Sequence, residues 1–326
     1  MSKIKILITD GMAKEGVETL KKVSDFEVDL RKETAVSELE KIIDQYQCIV
    51  IRSATTLTQG LIEKAKSMQL ILRAGAGVDN IDVAYATEKK IPVMNTASAN
   101  SLAAAEQTIA LLFAMFRQVP QASASLSAER WDRALFKGYE VTGKTLGVVG
   151  LGNIGHLVAQ KALGLGMKVI GYDPTVKSES DLKQKLIDPS NMFQLATDLQ
   201  KVATESDVLT FHIPKTKQTA HLVNIDFISK MKEKSFIINC ARGGIVDETA
   251  VIKALDSGKL AGAAFDVFEK EPPTFPNPLF SHPKIVCTPH LGASTFEAQD
   301  RVAATASAQI IGFFLKNEKA GIINGL

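Results

Sequence analysis

Side chains capable of acid–base chemistry stand just past apolar runs in the second half of this sequence. Arg242 follows SFIINCA, Asp266 follows LAGAAF with Glu269 and Glu271 a few residues on, and His290 follows KIVCTP. If those runs are parallel strands, their carboxyl ends share one edge, where open α/β sheets bind ligands. An arginine there can grip a carboxylate and polarise the neighbouring carbonyl. A histidine titrates in the range needed to take or return a hydroxyl proton. A carboxylate beside the histidine would hold its tautomer and stabilise the imidazolium. Arg242, His290 and either Glu269 or Glu271 therefore suit proton exchange at C2 of a small anionic 2-hydroxy acid, and the residues alone leave the choice of glutamate open. Each of these side chains taken singly also fits a structural role; their joint placement argues for a site.

Other candidates carry weaker signals. His212, after VLTF, either lines a cofactor pocket or is structural, and His221 and His282 read as loop residues. No pair of histidines has metal-ligand spacing, so no metal is expected. Ser53 and Ser101 lack the strand–turn–helix context of a nucleophile, which disfavours hydrolysis.

The same stretch carries a dinucleotide signature. TLGVVG runs into Gly150-Leu-Gly152-Asn153-Ile154-Gly155, then a helical HLVAQKALGLG, then KVIGYD ending at Asp173. Gly150 permits the tight turn, Gly152 lets the backbone approach a pyrophosphate, and Gly155 allows close helix packing. The helix start offers free N–H groups to the phosphates. Asp173 can accept hydrogen bonds from a ribose diol and would repel a 2′-phosphate, so NAD is expected over NADP. His156, in the first turn of that helix, reads as a packing or surface residue, since a proton there would oppose the dipole.

Around these residues, apolar β-branched runs alternate with helical patterns along nearly the whole chain. IKILIT, CIVIR and LILRAG come first, with amphipathic stretches at 13–23 and 57–65 between them. After 141–143 follow TLGVVG, KVIGYD, VLTFHI, SFIINC, LAGAAFDV and KIVCTPH. The expectation is an α/β protein of two doubly wound parallel-sheet domains. A helix over about 99–117, buried between domains or subunits, separates them, and a helix over 294–315 closes the chain. At 326 residues two domains are the natural division. With 45% hydrophobic and 23% charged residues and a net charge of +2, the composition is that of a globular protein with no nucleic-acid partner. Cys48, Cys240 and Cys287 are odd in number and sit in apolar surroundings, which points to reduced thiols and a cytoplasmic location. No membrane span is expected.

GLGNIG with GYDP, NCARGGIVDE, AAFDVFEKEPP and TPHLGAST resemble the D-isomer-specific 2-hydroxyacid dehydrogenases. RSATTLT, RAGAGVDNID, VMNTASANSLAAAEQTIAL and RWDRALFKG extend the likeness over essentially the whole chain, most closely to members that act on 3-phosphoglycerate. The resemblance implies a Rossmann-type NAD domain at 99–293 and a flavodoxin-like substrate domain made of 1–98 and 294–326. Arg242 matches the family's substrate-binding arginine, His290 its acid–base, and Glu271, just before Pro272, its paired carboxylate, which decides against Glu269. Cofactor contacts carry over to Ala76, Asn153, Ile154, Asp173, Ile213, Cys240, Ala241, Asp266, Gly292 and Ala293. Ala76 stands where relatives often have threonine, so only backbone contact is implied there. Arg52, Ser53, Gly75, Gly77 and Asn100 match substrate positions, and Arg73 and Arg133 are candidate phosphate partners. The implied activity is NAD-dependent oxidation of 3-phosphoglycerate. Reduction of hydroxypyruvate, glyoxylate or a lactate-type keto acid is the nearest alternative, and an NAD-sensing interaction protein on the same fold a more distant one. A homodimer through the 99–117 helix and the Trp131 region is implied, and feedback through a further C-terminal domain is not expected.

Overall fold

A computed structural model of the chain describes residues 3–176, 178–179, 182, 186, 188 and 191–326. The chain clusters into two compact units, Met1–Asn100 joined by Ala293–Leu326, and Ser101–Gly292.

Among the described residues, the first unit holds five parallel strands: β1 (Ile4–Ile8), β2 (Phe26–Leu30), β3 (Cys48–Ile51), β4 (Leu70–Arg73) and β5 (Val93–Asn95). Their order is β2-β1-β3-β4-β5, the flavodoxin-like doubly wound arrangement. The inner strands are mostly apolar and mostly buried because helices cover both faces. The long helix Phe296–Lys316 belongs to this unit. It starts where the Thr295 hydroxyl accepts the Ala298 N–H at 3.1 Å. Val302, Ala306 and Ile310, one turn apart, lie on one face and cover Ile6, Ile8, Val17 and Leu20. Where this helix meets the helix Lys14–Lys21, a Cβ on Gly16 would sit 2.8 Å from that of Ala303, so the close approach requires glycine.

The second unit, counted over its described residues, holds seven parallel strands: β6 (Thr145–Val149), β7 (Lys168–Tyr172), β8 (Phe193–Leu195), β9 (Val208–Phe211), β10 (Ser235–Asn239), β11 (Leu260–Phe265) and β12 (Ile285–Cys287). The order β12-β11-β10-β9-β6-β7-β8 reverses direction between β6 and β9, which is where doubly wound sheets open a ligand crevice. The helix Ser101–Phe116 packs Ala105, Leu111, Leu112, Met115 and Phe116 against Val148, Val158, Phe236 and Ile238. It is thus a core helix of this unit. No helix among the described residues is long and apolar enough to cross a membrane.

Candidate active site

At the end of β6 the chain turns through Gly150, whose φ of +92° is open to glycine and strained for other residues. A side chain there would meet the His212 carbonyl at 2.5 Å and Ile213 at 2.8 Å. A Cβ on Gly155 would fall 1.8 Å from the Gly150 carbonyl oxygen, whereas one on Gly152 would meet nothing within 4 Å. Two glycines therefore close the turn, and the third leaves open space above it. The helix Gly155–Gly164 begins with no side-chain cap, leaving its start to an anion. Asp173, just past β7, accepts the Leu151 N–H at 2.9 Å and both the Thr175 N–H and hydroxyl, at 2.9 and 2.7 Å. Burial opposes its ionisation, but these donors win and hold the carboxyl below its ordinary range. An open glycine turn, an uncapped helix start and a fixed anionic carboxylate fit a dinucleotide with an unmodified ribose diol. His212 supports the turn with its backbone carbonyl. Its ring lies 3.1 Å from the Thr210 hydroxyl, and burial pushes its pKa down to about 3, so it stays neutral.

The catalytic candidates lie past the neighbouring strands. Arg242 follows β10 in a turn clamped by the buried Asn239, whose side chain donates to the Arg242 carbonyl at 3.0 Å and accepts the Ala241 N–H at 3.1 Å. The next residue, Gly243, passes so close to Phe268 that a Cβ would stand 1.6 Å from its carbonyl oxygen. Past β11, Glu271 accepts the Phe268 N–H at 2.9 Å on one oxygen and lies 2.6 Å from His290 Nδ1 with the other. His290 itself adopts a left-handed φ of 55°, a conformation few non-glycine residues take, histidine, asparagine and aspartate more often than the rest, and one that clusters at functional sites. That conformation is over-determined. The buried Asp266 carboxylate accepts the Thr288 hydroxyl at 2.5 Å, the Leu291 N–H at 2.7 Å and the Gly292 N–H at 2.8 Å, bracketing His290 on both sides. Gln107 donates to the same threonine at 3.0 Å.

The imidazole is half-exposed, at 49%. Its hydrogen bond to Glu271 raises its pKa above the ordinary value; burial and the Arg242 charge act against that, and the charges of Glu271 and Asp266 with it. Burial opposes ionisation of Glu271, but His290, the Phe268 amide and Arg242 together hold its carboxyl low. The two groups thus favour an ion pair, and the charge of Arg242 is felt by both. The raised His290 pKa contributes stability that is fully present below the unfolded value of about 6.5 and is lost as pH rises through the folded value. For a hydroxyl oxidation that needs neutral imidazole, activity must climb with pH through a half-point above 6.5. Glu271→Gln is expected to bring that half-point down, as measured in kcat/KM against pH.

The remaining sequence candidates fall as follows. Cys240, Ala241, Asp266 and Gly292 belong to the second unit and border the trio, and Cys240 is partly buried, with desolvation pushing its thiol up to about 12. Arg52, Ser53, Arg73, Gly75, Ala76, Gly77, Asn100 and Ala293 belong to the first unit. There the Arg52 N–H is held by Asp10 at 2.7 Å and its carbonyl by Asn80 at 2.7 Å, so the loop after β3 is pinned from two sides. Asn95 donates to the Ala76 carbonyl at 2.8 Å, fixing the loop after β4. Arg133 lines a hollow with Leu126, Trp131 and Phe136, whereas Glu271 and His290 line another with Phe268 and Phe280. The supporting residues Asn239, Thr288, Gln107, Asp10 and Asn80 carry no spacing signal in the sequence, since polar residues near strand ends are common.

Residues 109–292 match the profile of the D-isomer specific 2-hydroxyacid dehydrogenase NAD binding domain. The chain is 44% identical over 319 residues to a D-3-phosphoglycerate dehydrogenase of Methanocaldococcus jannaschii, covering 97% of this chain and 58% of that protein. It spans little more than half the length of the phosphoglycerate dehydrogenases it matches. A hydroxypyruvate reductase of Thermotoga maritima is 42% identical over 304 residues, covering 93% of this chain and 95% of that one. Among solved structures, a D-lactate dehydrogenase from Aquifex aeolicus complexed with NAD and lactic acid superimposes with a TM-score of 0.84 at 29% identity, covering 98% and 99% of the two chains.

Proposed function

We propose that this chain, which belongs to the D-isomer-specific 2-hydroxyacid dehydrogenase family, oxidises D-3-phosphoglycerate at C2 to 3-phosphohydroxypyruvate, the entry step of serine synthesis. The cofactor is NAD, held by the 150–155 turn and Asp173; when bound it supplies the acceptor for the hydride that leaves C2. Arg242 grips the substrate carboxylate and polarises the C2 oxygen. Neutral His290 takes the hydroxyl proton on Nε2 as the C2=O bond forms, while its Nδ1–H donates to Glu271. The observation that carries this reading is the 2.6 Å His290–Glu271 contact at the carboxyl-end edge of the sheet that also carries the glycine turn.

The substrate assignment is tested by comparing kcat/KM for 3-phosphohydroxypyruvate, hydroxypyruvate and glyoxylate with NADH. The phosphorylated keto acid is expected to lead by at least about tenfold, roughly the 1.4 kcal/mol that one charged contact supplies. Arg52, Ser53, Arg73, Gly75, Gly77, Asn100 and Arg133 are the proposed substrate positions. Arg52→Ala should therefore cost the phosphorylated acid far more than the other two; equal losses would rule out a phosphate contact. A second reading, hydroxypyruvate reduction, is favoured by the reductase relative, which this chain matches over 95% of its length. A lead for unphosphorylated hydroxypyruvate in the same assay would select it.

A homodimer and a cytoplasmic location belong to the same proposal. Val119, Leu126, Trp131 and Leu135 are large apolar side chains left exposed within one short stretch, Trp131 at 80%, which is the mark of a covered interface. Sedimentation at micromolar concentration should give twice the chain mass, and Trp131→Glu should halve it; a wild-type monomer would exclude the dimer. The three cysteines are all unpaired, as in a reducing compartment.

A further inference from the structure

Glu271 meets His290 only if the short segment leaving β11 holds its course, and that segment is tied down more firmly than a surface loop requires. Phe268 is buried with its ring 5.0 Å from that of Phe280, and its carbonyl abuts Gly243. Its N–H is taken by Glu271 itself. The following N–H, of Glu269, donates to the Glu248 carboxylate at 2.7 Å, and the Glu248 N–H donates back to the Glu269 carboxylate at 3.3 Å. Glu248 is the first residue of the helix Glu248–Asp256, whose third amide is already capped by Asp247 at 2.9 Å. The reciprocal pair therefore fastens the Glu271 segment to an otherwise orphaned helix amide.

The arrangement gathers like charges. Asp247, Glu248, Glu269 and Glu271 lie close enough that burial first, and then the charges of the other three, push the Glu248 carboxyl up; the Glu269 amide partly offsets this. On the other side, His221 Nε2 lies 3.4 Å from Glu269, and Lys215 reaches over Gly244. Repulsion among these carboxylates would splay the segment if the two backbone hydrogen bonds did not hold it. Glu269, which residue type alone leaves as an equal candidate for the histidine's partner, is thus turned away from His290 and toward the helix.

We infer that Glu248 and Glu269 form a reciprocal latch whose role is to position Glu271 against His290; this rests on the reading of His290 as the acid–base. Neither latch residue touches the reacting atoms. Loosening the latch lets Glu271 drift, and a misplacement near 1 Å suffices to cost on the order of tenfold or more in rate.

The test compares Glu248→Ala and Glu248→Gln with Glu271→Gln in the full chain, using whichever of the three keto acids is turned over best. Glu248→Ala is expected to lower kcat about tenfold. It should also move the high-pH half-point of kcat/KM for reduction downward, as Glu271→Gln does, with NADH affinity unchanged. Glu248→Gln keeps the acceptor oxygen and should restore both values. An unshifted half-point in Glu248→Ala overturns the latch, whether or not kcat falls. If Glu271→Gln itself leaves the half-point in place, the acid–base reading fails instead; if it moves and Glu248→Ala does not, the latch alone fails. Should Glu248→Ala not fold, Glu248→Leu, which keeps the side-chain bulk and removes the acceptor oxygen for the Glu269 N–H, gives the same decision.

Discussion

Replacing His290 with alanine is expected to lower turnover by on the order of 10³-fold while leaving NADH affinity within about twofold. The ring has no structural duty large enough to confuse the result. It is half-exposed, and its backbone position is specified from outside by the three donors to Asp266. Alanine pays for the left-handed φ of 55° at that position, by about 1–2 kcal/mol. His290→Asn removes this ambiguity, because asparagine tolerates the conformation yet exchanges no proton near neutrality. Both variants should bind NADH and turn over almost nothing. Steady-state rates with a fluorescence titration of NADH decide the matter, and turnover within tenfold of the parent would remove His290 from the acid–base role.

Gly155→Ala should have a comparably large effect, on binding and folding rather than on chemistry. The added Cβ would stand 1.8 Å from the Gly150 carbonyl oxygen, roughly 1.5–2 Å inside an ordinary contact. Both atoms are backbone or fixed to it, so no rotamer relieves the clash; the helix Gly155–Gly164 must tilt away from β6. That shift takes the open helix start away from the phosphates it would face. We expect NADH affinity to fall by about 100-fold, equivalent to about 2.7 kcal/mol, and stability to drop by about 1–3 kcal/mol from overpacking. Gly152→Ala is the informative partner, because its Cβ would meet nothing within 4 Å. It should fold normally and lose affinity only through crowding of the dinucleotide. Titration of each variant with NADH, alongside thermal unfolding, separates the two glycine roles. A Gly155→Ala chain that binds like the parent would discount the turn as the cofactor site.

The parallel-sheet architecture was legible because its inner strands are largely buried on both faces and therefore stand out as predominantly apolar runs. IKILI, CIVI and TLGVV are examples. Strands that escaped notice are short or marginal. β2 reads FEVDL at the sheet edge with only Phe26 buried, and β5 and β8 are three residues each. Such segments owe their extended form to the neighbour they pair with, not to their own composition. At the site, the glycine spacing exposed the turn because backbone geometry tolerates no other residue at Gly150 and Gly155, while Gly152 leaves the space above it open. The pairing of Glu271 rather than Glu269 with His290 could not be read from residue type or position, since both glutamates leave the same strand two residues apart. Which one faces the imidazole depends on where Glu248 and the Phe268 carbonyl hold the intervening backbone. The Asp266 bracket was equally hidden, because it joins residues 22 to 26 positions apart through hydrogen bonds.

The helix Phe296–Lys316 covers a sheet whose strands were made some two hundred residues earlier. In order of synthesis β1 to β5 come first, and the cluster around Ile6 and Ile8 stays incompletely covered until Val302, Ala306 and Ile310 arrive to complete it. The intervening Ser101–Gly292 stretch is contiguous and can mature in the meantime. Nascent chains whose 296–316 helix is still held in the ribosome should accordingly recruit holdase chaperones and yield to protease within residues 3–100, while those that have released this helix resist both.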